Sequence, residues 1–184
     1  DDYIHDQMKT LNEDYNALNP DLSTVIPSFQ SLIGNIGIEF RLANIDPNGN
    51  PTNGIERIYS VQAFSGDDYS KLNTWPRDKY INVWIVAKMM AGAAGYAYYP
   101  GSVQALYSTP SRDGINILSN YIGGRNFGNY SLCRALTHEI GHFLNLKHPW
   151  GDNNEPGQAC GDDDVDDTPE TKGWANCPNP ANAQ

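Results

Sequence analysis

Apolar side chains recur at helical spacing near the start of the chain, at Ile4, Met8, Leu11, Tyr15 and Leu18. Positions three or four apart lie on one face of a helix, so this pattern predicts an amphipathic helix over residues 4–18. We expect Asn19-Pro20 to end it, because proline cannot continue the backbone hydrogen bonding of a helix. His5 belongs to no ligand pattern at the start of this helix and is predicted to be a surface residue.

Three later segments have the patterns of strands. Residues 36–45, IGIEFRLANI, alternate apolar and polar side chains, and the turn-rich DPNGNPTNG follows them. YINVWIV at 80–86 and DGINIL at 113–118 predict two further strands, with AGAAGYAYYPG at 91–101 as an irregular rim between them. The order helix, strand, strand, strand, helix predicts an α/β (α+β) fold built on a mixed sheet.

The longest apolar run, residues 81–99, approaches the length of a membrane-spanning helix. Lys88 lies near its middle and glycines interrupt its second half, so it is interpreted as a buried strand followed by a loop. No charged and apolar leader precedes Asp1. We therefore expect either a cytosolic protein or a mature form whose targeting segment lies outside this sequence.

Length and charge narrow the class of protein. The 184 residues fit one ordinary domain, and the net charge of −10 argues against nucleic acid or an anionic membrane as a partner. Residues 152–170 contain many acidic side chains and no lysine or arginine, which predicts either a solvated loop or a cation site. The three cysteines, an odd number, leave at least one thiol free or paired outside the fragment.

A second helix is predicted from Ser131 as N-cap, with an apolar stripe formed by Leu132, Leu136, Ile140 and Phe143. His138 and His142 lie off this stripe and one turn apart, which suits two ligands of a single tetrahedral zinc. Glu139 points to the neighbouring sector, too far round to be a ligand but able to reach a zinc-bound water. It is the predicted general base.

His148 can supply a third ligand only if the chain bends sharply after Leu144. Left-handed backbone costs most residues roughly 1 kcal/mol or more, and asparagine tolerates it better than most, so Asn145 is predicted to end the helix. The alternative is a set of ordinary surface histidines, because HExxH recurs by chance. The added turn former and third histidine weigh against that alternative.

These residues resemble a known family. HEIGHFLNLKH at 138–148 resembles the metzincin signature with Asn145 in the place of the usual glycine, and its flanks are similar to the pappalysin (cytophagalysin) family over essentially the whole chain. The resemblance implies one metalloprotease catalytic domain over 1–184 with a mixed twisted sheet, a backing helix and an active-site helix. Residues 1–142 would form the upper subdomain, and 143–184 the start of a lower one.

The resemblance also implies the site residues and the setting. His138, His142 and His148 would bind zinc with Glu139 as base, and the D…DTP pattern would place calcium on Asp163, Asp167 and Thr168. Asp164 and Asp166 are expected to face solvent beside these ligands. A merely solvated acidic turn is the alternative. Secretion and an upstream inhibitory pro-segment are implied as well.

The cysteines and the C-terminal segment complete these expectations. Cys160 and Cys177 would be oxidised, either with cysteines around the family's methionine turn or with each other. That turn has no match after Cys177, so the C-terminal subdomain is expected to be truncated. Cys133 stands before Arg134 where the family usually has a small residue, and we expect it to be a small buried hydrophobe without a partner.

The function that follows is a secreted zinc endopeptidase, which hydrolyses peptide bonds of a polypeptide substrate with a zinc-activated water and Glu139 as general base. The substrate is expected to extend along a sheet edge at Ala94, Gly95 and Tyr96, unless that rim is a plain surface loop. The alternative function is a non-catalytic secreted module in which zinc and calcium only stabilise the fold. Glu139 argues against that module, because a structural zinc site needs no carboxylate beside an open position.

Overall fold

The computed structural model describes residues 1–89, 92–105, 113–155 and 157–174. The chain forms two compact units, the first from Asp1–Thr24 and Gly34–Asn145, the second from Val25–Ile33 and Leu146–Gln184. The subdivision at residue 142 implied by the family resemblance stays a prediction. None of the described helices is long and apolar enough to cross a membrane.

The first helix, α1, spans Asp2–Tyr15 and buries Leu11 at 2% exposure. It confirms the predicted N-terminal helix, and His5 is exposed as expected. The extension of this helix to Leu18 is wrong. Ala17 adopts a left-handed backbone with φ of 52°, which ends the helical hydrogen bonding and leaves Leu18 69% exposed.

The strand predicted over residues 36–45 is wrong. The segment forms no ladder, and its one bridge joins Ile45 to Pro51. Asparagines of α1 bind its backbone instead: the Asn12 side chain accepts from Phe40 N at 2.7 Å and donates to Phe40 O at 2.9 Å. Side chains alternate between exposed and half-buried from Gly37 to Leu42, whereas Ile36 and Ile45 are both exposed. The pattern therefore predicted the faces of the central part of this segment but not the partner of its backbone.

The described residues form a sheet of three strands, β1 Val83–Val86, β2 Gly95–Ala97 and β3 Ile115–Leu118, in the order β1-β3-β2. β1 runs parallel to β3, and β2 runs antiparallel to it. The mixed sheet and two of its strands are thus confirmed, whereas the predicted irregular rim contains a strand. The central strand β3 is the most buried, with Ile115 and Ile117 both at 0% exposure.

The predicted second helix begins as a 3₁₀ turn at Leu132–Arg134 and continues as α4, Ala135–Phe143. Ser131 stands at the N-cap position, as predicted, but its backbone is already helical and its side chain makes no capping hydrogen bond. The carbonyl of Asn129 accepts instead from Leu132 N and Cys133 N, both at 2.9 Å. Cys133 is fully buried and forms no disulfide, which confirms the expected small hydrophobe.

The other helical elements of the described ranges are short. They are α2 Pro27–Gln30, α3 Pro100–Ala105 and 3₁₀ turns at Pro20–Thr24, Val61–Phe64, Asp68–Ser70 and Ser119–Tyr121. The core of the first unit contains Leu11 of α1, Ile115 of β3, and Leu136 and Ile140 of α4. α4 is therefore fixed from two sides, by α1 and by the sheet.

Candidate active site

Polar contacts as well as apolar packing hold α4 in register with α1. The Thr137 hydroxyl donates to the Asp14 carboxylate at 2.6 Å, and the Tyr15 hydroxyl donates to the Thr137 carbonyl at 3.1 Å. Arg134 contacts the same carboxylate at 2.7 Å. Thr137 immediately precedes His138, so these contacts set the rotation of α4 from which the histidine pair projects.

His138 and His142 project from one face of α4, as their spacing predicts. Their Nε2 atoms are 3.0 Å apart and their ring planes meet at 83°. Both nitrogens can therefore lie at the zinc–nitrogen distance of about 2.0–2.1 Å from one ion. Tyr99 packs edge-on against His142, with ring centroids 5.3 Å apart.

Glu139 is 7% exposed and lies against β2, on a different sector of α4 from the histidines. Burial raises the pKa of its carboxyl to about 7, although the Ala97 backbone N–H donates to it and acts in the opposite direction. Gly95 makes the close approach of α4 and β2 possible. A Cβ at Gly95 would lie 3.0 Å from Glu139 Cγ and 2.8 Å from the Asn116 carbonyl oxygen.

The backbone of β2 has an inner and an outer side. Leu118 N–H donates to the Ala94 carbonyl at 2.8 Å, so the backbone groups of Ala94 and Tyr96 are directed toward β3. By alternation those of Gly95 and Ala97 are directed away, which agrees with the contact between Ala97 N–H and Glu139. Within the described ranges no strand pairs with this outer edge. Of the three predicted substrate residues, Gly95 alone presents its main chain there.

Asn145 has a φ of 73°, and its N–H donates to the His142 carbonyl at 2.9 Å. The predicted left-handed residue at the end of the helix is confirmed. In the second unit, His148 stacks on Trp150 with ring centroids 4.8 Å apart and planes 5° apart. The candidate metal ligands are His138, His142 and His148.

The acidic loop of the second unit is closed by an antiparallel bridge between Gly161 and Thr171. Asp163 is half-buried and Asp167 is exposed, while the Thr168 hydroxyl is buried without a hydrogen-bond partner in the described parts of the chain. Asp164 and Asp166 are exposed as expected. Among the residues that the structure describes, no three acidic side chains of this loop form a metal-binding group.

Cys160 is exposed, and Cys177 lies outside the described residues, so the oxidation of both stays a prediction. Sequence reasoning placed Ala97 and Tyr99 in the predicted rim but missed their contacts with Glu139 and His142, and it missed Trp150 beside His148. Neither the spacing of apolar residues nor the spacing of metal ligands identifies these contacts. For Trp150 the available signal was an aromatic residue two positions after a predicted ligand.

Comparison with known proteins agrees with this geometry. The family model described as pregnancy-associated plasma protein-A matches residues 65–183. The extracellular metalloprotease of Arthroderma otae is 28% identical over 183 residues, covering 97% of this chain and 62% of the relative. The chain thus spans about three fifths of that relative's length.

Two solved structures resemble the chain closely. Mature mirolysin of Tannerella forsythia, in complex with a cleaved peptide, is 35% identical with a TM-score of 0.79, over 97% of this chain and 68% of that one. A promirolysin mutant of the same organism is 33% identical with a TM-score of 0.76, over 97% of this chain and 60% of that one. These matches confirm the predicted α+β fold, and together with the family model they show that the chain belongs to the pappalysin (cytophagalysin) family of metzincin metalloproteases.

Proposed function

We propose that this protein is a secreted zinc-dependent endopeptidase in which Glu139 is the general base. The observation that supports this most directly is the placement of Glu139, which is 7% exposed, packs against β2 and accepts from the Ala97 N–H. A carboxylate that only stabilised a metal site would bind the metal or pair with a cation. This one points to the strand edge where an extended peptide would lie.

The histidines fit a zinc ion. His138 and His142 present two Nε2 atoms 3.0 Å apart. The left-handed backbone of Asn145 supports a turn after the helix that would let His148 serve as third ligand. Three neutral imidazoles satisfy the nitrogen ligation that zinc prefers and leave one position open. When bound, zinc supplies Lewis-acid polarisation of the scissile carbonyl and lowers the pKa of a water molecule.

Glu139 moves the proton. Its carboxylate accepts a proton from the attacking water, whose oxygen forms the new bond to the scissile carbonyl carbon. The protonated carboxyl then donates that proton to the leaving amide nitrogen as the carbon–nitrogen bond breaks. Ala97 N–H holds the carboxylate in one orientation throughout, and β2 shields it from bulk water.

The substrate is proposed to be a polypeptide bound in extended form along β2, at Ala94, Gly95 and Tyr96. Gly95 supports this, because its N–H and C=O are directed away from β3 and can pair with a peptide main chain. Mature mirolysin, a solved relative, is in complex with a cleaved peptide. The net charge of −10 disfavours nucleic acid as an alternative partner.

Secretion is proposed because the curated relatives are named extracellular metalloproteases. The likeness to promirolysin supports an inhibitory pro-segment upstream of this domain. An extracellular protein can keep Cys160 and Cys177 oxidised, and thiol titration of the mature protein should find neither reactive.

Calcium is proposed to bind the acidic loop through Asp163, Asp167 and Thr168. The Thr168 hydroxyl is buried without a hydrogen-bond partner in the described chain, and such groups are costly to bury unpaired. This supports a cation bound to the hydroxyl oxygen. A hard cation with six to eight oxygen ligands also offsets the repulsion between neighbouring aspartates. We expect EGTA to lower the melting temperature while zinc content stays constant. An unchanged melting temperature would contradict calcium binding by this loop.

The proposed activity is tested by Glu139→Gln, which keeps the size of the side chain and removes the base. Casein hydrolysis should fall by about 10²–10⁴-fold, the range of general-base contributions, with zinc content unchanged. Glu39→Gln is the matched control, because Glu39 is exposed and forms a surface ion pair with Arg41. Hydrolysis at the original rate in Glu139→Gln would exclude this mechanism and favour the non-catalytic secreted module.

A further inference from the structure

Trp150 lies two residues after His148, and its indole stacks on the imidazole with the ring planes 5° apart. We propose that Trp150 is a positioning residue for His148, which fixes the plane of the imidazole that serves as third zinc ligand. This inference rests on the proposed function, because it takes His148 as a ligand.

A stacked partner suits a metal ligand for a simple geometric reason. Stacking uses the face of the imidazole, whereas the two ring nitrogens lie at its edge. The Trp150 indole can therefore restrict rotation of the His148 ring without using either ring nitrogen.

His148 needs such support more than a ligand on a helix does. His138 and His142 are fixed by the regular backbone of α4. His148 instead follows an exposed stretch, in which Leu146 is 53% exposed and Lys147 is also exposed. Exposed backbone fixes a side-chain direction less firmly than a helix does, so the stacking contact with Trp150 adds to the orientation of His148.

Trp150 is itself held in place by the base of the acidic loop. A Cβ at Gly161 would overlap the Trp150 carbonyl, and a Cβ at Gly173 would overlap Cδ1 of its indole. Gly161 and Thr171 exchange backbone hydrogen bonds of 2.8 and 3.1 Å, and the Thr171 hydroxyl donates to the Pro149 carbonyl at 3.2 Å. Both glycines thus allow the loop to pack directly against Trp150.

The polar group of Trp150 does not explain its position. Its indole Nε1 is buried and has no hydrogen-bond partner in the described parts of the chain. A buried donor without an acceptor is unfavourable. Replacing Trp150 with phenylalanine removes this donor and loses no hydrogen bond within the described residues. Trp150→Phe keeps an aromatic face for His148 and is therefore the conservative variant.

The experiment measures zinc affinity of the metal-free protein by competition with a chelator. Trp150→Ala should weaken zinc binding by about 10–100-fold, the usual effect of removing a group that orients a ligand. Gly173→Ala should also weaken it, because the added methyl group overlaps Cδ1 of the Trp150 indole as well as the Asn153 carbonyl oxygen. Trp150→Phe should retain most of the affinity, and saturating zinc should restore hydrolysis in Trp150→Ala. Trp75→Phe is the control, since Trp75 packs on Tyr80 in the first unit.

The outcomes separate this inference from the proposed function. Unchanged zinc affinity in Trp150→Ala overturns it, and so does equal weakening in Trp150→Phe and Trp150→Ala. If Trp150→Ala does not fold, unchanged affinity in Gly173→Ala overturns it instead. His148→Ala tests the ligand itself: unchanged affinity there refutes the proposed zinc site. Loss of affinity in His148→Ala without loss in Trp150→Ala or Gly173→Ala refutes only the positioning role.

Discussion

Two clusters of charge, one in each unit, show opposite ways of accommodating carboxylates. In the first unit the Lys71 side chain is fully buried and lies 3.3 Å from Asp68. Asp68 also accepts from the Tyr96 hydroxyl at 2.9 Å and the Tyr98 hydroxyl at 3.0 Å, and these contacts keep its pKa below its usual value despite partial burial. The charge of this cluster is balanced within the protein.

The acidic loop of the second unit has no such internal balance. Its ion pair between Lys147 and Asp164 is exposed, at 47% and 74% of the two side chains. The neighbouring Asp162, Asp166 and Asp167 are exposed as well. Water or a bound cation must therefore compensate the charge of the loop, whereas the Lys71 cluster needs neither.

Breaking the two ion pairs should give the largest contrast. Lys71→Ala leaves Asp68 without its buried cation, and removal of one partner of a buried pair costs about 3–5 kcal/mol. Lys147→Ala should change the free energy of unfolding by no more than about 1 kcal/mol, because exposed pairs contribute little. Urea unfolding followed by circular dichroism measures both. Similar losses in the two variants would contradict the distinction drawn from burial.

The Lys71 cluster also supports β2 from the side opposite to Glu139. Tyr96 alternates with Gly95 and Ala97 along the strand, so the tyrosine hydroxyl is anchored on one face while Glu139 packs on the other. A strand held from both faces has little freedom to move.

Gly95→Ala tests how tightly that space is filled. Its Cβ would lie 2.8 Å from Ile117 Cδ1 and from the Asn116 carbonyl oxygen, so we expect a loss of about 1–3 kcal/mol from overpacking. Casein hydrolysis should fall as well, because β2 or Glu139 must shift. Gly101→Ala is the matched control: its Cβ meets nothing within 4 Å, and alanine favours the helix α3. Unchanged stability and activity in Gly95→Ala would show that the strand can move.

How far the sequence predicts this molecule depends on the range of the interactions involved. The pair His138 and His142 follows from helical spacing, and the turn at Asn145 follows from the backbone preference of one residue. Both are local properties, and both were predicted. The strand over 36–45 failed because its backbone partners, Asn12 and Asn16, lie in α1 and carry no pattern that links them to it.

The neighbours of the site were missed for the same reason. Ala97 N–H reaches Glu139 only because Gly95 lets β2 approach α4, a contact between residues far apart in the chain. Ser131 stands at the N-cap position predicted from its residue type, but the Asn129 carbonyl, two residues earlier, accepts the first hydrogen bonds. Local preference could not show that the Ser131 side chain would make no capping bond.

The smallest expected effect concerns Asn145, where the helix that carries two ligands gives way to the exposed segment that carries the third. Its φ of 73° suits glycine, is tolerated by asparagine and is unfavourable for alanine. Asn145→Ala should therefore lower the free energy of unfolding by roughly 1 kcal/mol, whereas Asn145→Gly should leave it nearly unchanged. Urea unfolding of both variants measures this, with the exposed Asn48→Ala as control.

Because the same turn is proposed to direct the chain so that His148 reaches the zinc, zinc affinity should fall in Asn145→Ala and be preserved in Asn145→Gly. Equal behaviour of the two variants would mean that the contacts of the second unit, rather than the turn, determine where the third histidine lies.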